Sequence, residues 1–209
     1  MSEILSKISQ AVIEGNLDEI EELTEDALDA GLDAQEVLDG GLMVGMDYVG
    51  VEFKAGNMFV PEVLRSAKTM QISMEILKPL LVESGAPRAG RVLLGTVKGD
   101  LHDIGKNLVI MMLEGAGFAV VDAGVDVSPE RFVALAKEHD AKIIGLSALL
   151  TTTMPSMKGA VVAIRAAGLS SKVIIGGAPV TQTYCDMIGA DGYSADAASA
   201  AELATRLIA

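Results

Sequence analysis

Of the two histidines in the chain, His102 has the surroundings for chemistry. It lies in the stretch Val97-Lys98-Gly99-Asp100-Leu101-His102-Asp103-Ile104-Gly105-Lys106-Asn107, two residues after a carboxylate and three before a glycine. A carboxylate at that spacing can sit beside the imidazole and fix which ring nitrogen stays free to bind a metal. Gly105 lets a bulky group approach the backbone. A histidine in a loop also reads, more blandly, as a solvated or hydrogen-bonded side chain. Two further stretches add to it. One is Ser147-Ala148-Leu149-Leu150-Thr151-Thr152-Thr153, the other Gly176-Gly177-Ala178-Pro179. Hydroxyls beside paired glycines read as the entrance to a narrow slot lined by donors and backbone. Taken singly, they read as helix caps and a tight turn.

The elements that would position these residues are legible around them. The apolar run 91–97 is a strand feeding the His102 loop, and a helix with Leu108, Val109, Met112 and Leu113 on one side follows over about 104–114. Strands are then expected at 118–122, 142–147, 172–177 and near Gly192-Tyr193, alternating with helices at about 129–139, 154–167, 180–188 and 196–208. Continuous apolar strands between helices indicate a parallel sheet covered on both faces. Five such units give the flavodoxin-like (Rossmann-like) order 2-1-3-4-5, in which ligands bind where strand order reverses, at the carboxyl ends of strands one and three. All three unusual loops fall at that end.

The first part of the chain has a different grammar. Stripes Leu5/Ile8/Val12, Leu17/Ile20/Leu23/Ala27/Leu28, Val37/Leu38/Leu42/Met46/Val49 and Val63/Ala67/Met70/Met74/Leu77/Leu81 describe four amphipathic helices in an antiparallel bundle. Asp33 with Glu36 spells a capping box, and Pro61 suits a first helical turn. Met58, Phe59 and Val60 fall outside the main stripe, either as a hydrophobic staple or as an apolar lid over a flat ligand. The Gly/Pro-containing stretch 83–90 reads as a linker, which gives a helical domain over 1–87 and an α/β domain over 88–209.

Composition limits the functions open to such a protein. The net charge is −13, unevenly spread as −11 over residues 1–90 and −2 over the rest, which argues against nucleic-acid partners. No apolar run is long enough to span a bilayer and no signal segment opens the chain, so no membrane partner and a cytoplasmic location are expected. Cys185 is the single cysteine, so no internal disulfide is available, and it reads as a buried structural thiol. No Ser-His-Asp set, paired catalytic carboxylates or phosphate loop is present.

Asp100-x-His102-x-x-Gly105, Ser147-x-Leu149 and Gly176-Gly177 together resemble the cobalamin-binding pattern of corrinoid proteins and of cobalamin-dependent methionine synthase. The segment 56–67 is similar to the start of the last helix in that family's cap domain, so the resemblance covers nearly the whole chain. It implies that His102 replaces the dimethylbenzimidazole base as lower axial ligand of cobalt, with Asp100 bonded to it and tuning its proton content. Leu101, Asp103 and Ile104 complete the cofactor-binding loop, and Gly105 makes room for the nucleotide tail. Ser147, Leu149 and Thr151 line the base pocket beside Gly176 and Gly177. Thr153 stands where methionine synthase has a serine, and Phe59 lies over the upper corrin face. At this length, the resemblance points to the small corrinoid subunits of methanol, methylamine and quaternary-amine methyltransferase systems. It implies a non-catalytic methyl carrier holding cobalamin or a related corrinoid (methylcobalamin, with a Co(I)/Co(III) cycle). Such a subunit accepts a methyl group from a substrate-specific methyltransferase and delivers it to a second one that methylates coenzyme M or tetrahydrofolate. A reductive activase is a further implied partner. The alternatives are a cobalamin-dependent sensor or regulator, for which the chain has no DNA-binding segment, and the cobalamin subunit of a mutase. A flavin or phosphoacceptor domain would leave His102 and the bundle unexplained.

Overall fold

The apolar stripes and acidic faces of the first part become helices in the computed structural model, which describes residues 3–83 and 90–208. The expected linker at 84–89, and with it the 87/88 boundary, lies outside the described residues. The described residues divide into two compact units that part between 83 and 90, with Gly115–Gly117 counted in the first.

The first unit is built from α1 (Glu3–Glu14), α2 (Ile20–Asp29), α3 (Ala34–Val37), α4 (Val44–Ala55) and α5 (Val60–Glu83). Between α3 and α4 the chain does not break but widens into a π-helical segment, Leu38–Met43, so the expected third helix is one rod with a bulged middle. The capping box is present: Asp33 Oδ1 accepts from Glu36 N–H and Glu36 Oε2 from Asp33 N–H, at 2.8 and 2.9 Å. The widened segment and the start of α4 present Gly40, Gly41 and Gly45 to α1. A Cβ on these residues would stand 2.9, 2.8 and 2.8 Å from side-chain carbons of Leu5, Ile8 and Val12. Glycine here permits close helix approach. α2 starts at Ile20, later than its stripe suggested, leaving Leu17 in the preceding turn. Thr24 and Ser73 take buried places on the inner face where Leu23 and Met74 were expected, and both of those are only half-buried. The two hydroxyls lie 2.7 Å apart and Thr24 Oγ1 also reaches Ile20 O, so burial leaves neither without a partner. Phe59 is 67% exposed and fills no place in the bundle core.

The second unit contains β1 (Arg91–Val97), α6 (Ile104–Gly115), β2 (Ala119–Val127), α7 (Pro129–Glu138), β3 (Ile143–Ser147), α8 (Met154–Ala166), β4 (Lys172–Gly176), α9 (Gln182–Ile188), β5 (Gly192–Ser194) and α10 (Ala197–Ile208). All strand pairs are parallel in the order β2-β1-β3-β4-β5, as the alternation of strands and helices required. Val92, Leu94 and Ile143 are buried in the sheet, and Leu93, Ile144, Val173 and Ile175 share one core with Phe132, Met157 and Ile164. β2 departs from expectation. It runs on past Asp122 to Val127, with register shifts against β1 after Leu94 and again after Gly95. Ala123-Gly124-Val125-Asp126 reads as a loop in sequence because glycine and aspartate are poor strand formers. Among the described residues no helix is long and apolar enough to cross a membrane.

The glycine contacts give a pair of opposite expectations. A Cβ at Gly45 also lies 2.9 Å from Ser9 O, so Gly45→Ala forces α1 and α4 apart and lowers stability by about 1–3 kcal/mol. At exposed Gly159 of α8 the nearest atom is Pro129 Cγ at 3.8 Å, so Gly159→Ala raises stability by about 0.5–1 kcal/mol. Denaturant unfolding of the two variants checks both signs.

Candidate functional site

β1 ends at the sheet's strand-order switch and hands the chain to a tight turn, in which Asp100 N–H donates to Val97 O at 3.1 Å and Gly99 takes φ +85°. This turn drives Asp100 inward: it has no exposed surface at all. An ionised aspartate has only acceptors to offer, and burial without donors would be costly. Here five donor contacts meet it. Oδ1 accepts from His102 N–H at 3.1 Å and from His102 Nδ1 at 2.7 Å. Oδ2 accepts from Leu149 N–H at 2.8 Å and Leu150 N–H at 3.3 Å, and the Thr153 hydroxyl lies 2.8 Å away. Thr153 Oγ1 is equally close to Leu150 O, which anchors the hydroxyl in its own loop.

These contacts set the electrostatics. Burial pushes the Asp100 carboxyl up, but the hydrogen bonds from Leu149, His102 and Thr153 outweigh it and hold the carboxyl well below the ordinary carboxylate range. Its contribution to stability is therefore complete above the usual aspartate range and is lost as pH falls through the depressed value. An ionised Asp100 accepts a hydrogen bond from Nδ1–H of His102, which leaves Nε2 as the ring nitrogen with a free lone pair. The His102 side chain is half-exposed, and its own carbonyl is held by Thr96 Oγ1 at 2.8 Å.

The remaining candidates fall around this pair. Leu101 and Ile104 are 71% and 76% exposed beside His102, and Leu149 is exposed on the facing loop. Asp103 O receives Asn107 N–H at the start of α6. A Cβ built on Gly105 meets nothing within 4 Å, so the backbone there borders open space. Ser147 and Gly176 are register partners at the ends of β3 and β4, and Thr151 is exposed on the loop between β3 and α8. Gly177 serves the turn itself: at φ +131° its Cβ would lie 1.8 Å from Ala148 O. Phe59 belongs to the helical unit. Asp100, His102, Leu149 and Thr153 are thus joined directly by hydrogen bonds, while Ser147, Gly176 and Gly177 shape the neighbouring loops. The backbone amides of Leu149 and Leu150 as partners of Asp100 had no sequence signal, because amides carry no residue identity.

Among the described residues no group of three or more His, Cys, Asp or Glu side chains is placed to hold a metal ion. A single imidazole is too few for a metal site built from protein alone, where three or four ligands are usual. The free Nε2 of a half-exposed imidazole, the exposed apolar side chains and the open space at Gly105 fit a metal whose other ligands come from a large, flat, partly apolar macrocycle.

The chain is similar to known proteins along most of its length. A family model described as a B12 binding domain matches residues 90–202, and a second of the same description matches residues 4–78. A corrinoid protein of Desulfitobacterium hafniense is 42% identical, aligned over 98% of this chain and 97% of its own. Dimethylamine corrinoid protein 1 of Methanosarcina acetivorans is 43% identical over 99% of this chain and 98% of its own. Among solved structures, the methanol:cobalamin methyltransferase complex of Methanosarcina barkeri superposes with a TM-score of 0.87 at 33% identity, covering 99% of this chain and 80% of the other. A cobalamin-binding protein of Desulfitobacterium hafniense gives 0.82 at 35% identity, covering 97% and 98%. With both modules matched and relatives aligned end to end, the chain belongs to the corrinoid protein family of methyltransferase systems, and the group that it binds is a cobalamin or a related corrinoid.

Proposed function

We propose that the protein is a methyl carrier that holds its corrinoid through His102 and serves two methyltransferases in turn. The observation that supports this reading is the buried Asp100 carboxylate on Nδ1 of His102, 2.7 Å away, which leaves Nε2 of a half-exposed ring free to ligate. When bound, the corrinoid supplies the cobalt that takes up and gives away the methyl group. The chain's own residues do the rest. Asp100 keeps the proton on Nδ1 and so leaves Nε2 free to ligate. The Leu149 and Leu150 amides and Thr153 keep Asp100 ionised and immobile. Leu101, Ile104 and Leu149 offer apolar contact to the macrocycle, and Gly105 leaves space for the nucleotide tail. Ser147, Thr151, Gly176 and Gly177 border the path of that tail. Phe59 shields the reactive face, since its side chain is exposed and fills no place in the bundle core. Relatives named for dimethylamine and trimethylamine, and the methanol complex, support a one-carbon donor of that class held by a first methyltransferase. A second methyltransferase passing the group to coenzyme M or tetrahydrofolate, with a reductive activase, completes the proposed set of partners in the cytoplasm.

Three outcomes test this. Electron paramagnetic resonance of the Co(II) holoprotein is expected to show coupling to one imidazole nitrogen, and His102→Ala should abolish it; an unchanged spectrum in the variant overturns the assignment. Asp100→Asn turns an amide N–H₂ toward one of two sets of donors. It should cost about 1–3 kcal/mol of stability and weaken histidine ligation about tenfold or more, read from unfolding curves and from the same spectrum. Phe59→Ala should leave the melting temperature within about 2 °C, because an exposed side chain contributes little. The same change should speed photolysis of the methylcobalamin-loaded protein, measured by absorbance under constant light.

A further inference from the structure

β2 contributes one residue whose conformation the sheet does not require. Asp126 has φ +53°, and among the described residues only Asp140 is another non-glycine with positive φ. Aspartate tolerates this region better than most residues but still at a cost, and strain of this kind persists where neighbouring contacts over-determine it. Core packing is not the cause, because Asp126 is exposed. The contacts that hold it lie on the His102 loop. Asp126 Oδ1 accepts from Gly99 N–H at 2.7 Å, and Asp126 N–H donates to Asp100 O at 3.0 Å. The two bonds clasp Gly99 and Asp100 from the outer side, through the peptide units before and after them, while the Asp100 side chain is gripped from the β3 side.

The register explains how β2 reaches that far. Opposite the three β1 residues Gly95–Val97 stand the four β2 residues Gly124–Val127, and Ala123 is already extra between the partners of Leu94 and Gly95. Bulges of this kind bend a strand and re-aim its side chains, and they are enriched beside functional sites. The same strand holds the other end of the loop: Lys106 Nζ, nearly fully buried, lies 2.7 Å from both carboxylate oxygens of Asp122 and from Asn107 Oδ1. Leu101–Gly105, which carries His102, is therefore the span between two anchors on one irregular edge strand.

We propose that Asp126 is a positioning residue for the axial ligand: its clasp on Gly99-Asp100 sets where the His102 imidazole stands, and so how firmly it holds cobalt. This rests on the reading of His102 as that ligand. No part of Asp126 touches the corrinoid in this role; it acts through the peptide that carries Asp100.

The test compares Asp126→Gly and Asp126→Asn holoproteins with the wild type and with His102→Ala. Glycine keeps the left-handed backbone without strain and removes the carboxylate, so the fold is spared. Asparagine keeps both an acceptor oxygen and tolerance of that conformation. Co(II) paramagnetic resonance over a descending pH series gives the ratio of histidine-on to histidine-off protein. Asp126→Gly should retain a full complement of corrinoid and lower that ratio about threefold or more, as expected for a lost charge-assisted hydrogen bond. Asp126→Asn should stay within about twofold of the wild type, on the same hydrogen-bond reasoning. In the corrinoid-free protein, hydrogen exchange at the Gly99 amide should quicken in Asp126→Gly alone. If wild type and His102→Ala give the same spectrum, the ligand reading itself fails. If those two differ but Asp126→Gly matches the wild type, only the positioning role falls; an equal loss in Asp126→Asn overturns it as well.

Discussion

A carboxylate with no contact to solvent holds the functional end of the α/β unit together. Asp100 carries negative charge into the gap between the β1 and β3 loops, and that charge is tolerable only because donors converge on it from both sides. Removing any one loop's donors would leave a buried charge under-satisfied, so the two loops are tied through a single side chain. The imidazole inherits its orientation from this arrangement. It is the exposed partner of a buried anchor, rigid at Nδ1 and available at Nε2.

All of Asp100's partners come from the protein. The ligand loop can therefore be ordered before any cofactor arrives, and the entropy of fixing Leu101–Gly105 does not have to be met by binding. Asp126 and Lys106 pin the ends of the same loop, and Thr96 holds the carbonyl of His102. A preorganised loop of this kind suits a protein that binds a corrinoid.

Much of this was legible from residue types and spacing. The parallel order followed from apolar runs alternating with helices, β1 was bounded correctly at 91–97, and Asp100, His102 and Thr153 were singled out by chemistry before their geometry was seen. What escaped had physical reasons. The second half of β2 is written in glycine and aspartate, because its bulges serve the neighbouring turn and not a core. The π-helical widening at Leu38–Met43 is dictated by contact with α1, which local pattern does not encode. Thr24 and Ser73 were passed over because each is polar, and only their pairing across the bundle makes them suitable for burial. Backbone donors such as Leu149 N–H have no signature at all.

Gly177 gives the site a reach that its side chains do not. Its α-carbon stands so near Ala148 O that no side chain fits between them, and Ala148 is followed directly by Leu149, whose amide faces Asp100 Oδ2. Main chain alone thus relays position from the end of β4 to the imbalance-sensitive carboxylate, and through it to His102. A substitution at Gly177 would shift no ligand and remove no hydrogen bond of its own, yet it would push the β3 loop away from Asp100. Genetic variation in a turn that carries no functional side chain would in this way reorient the His102 imidazole.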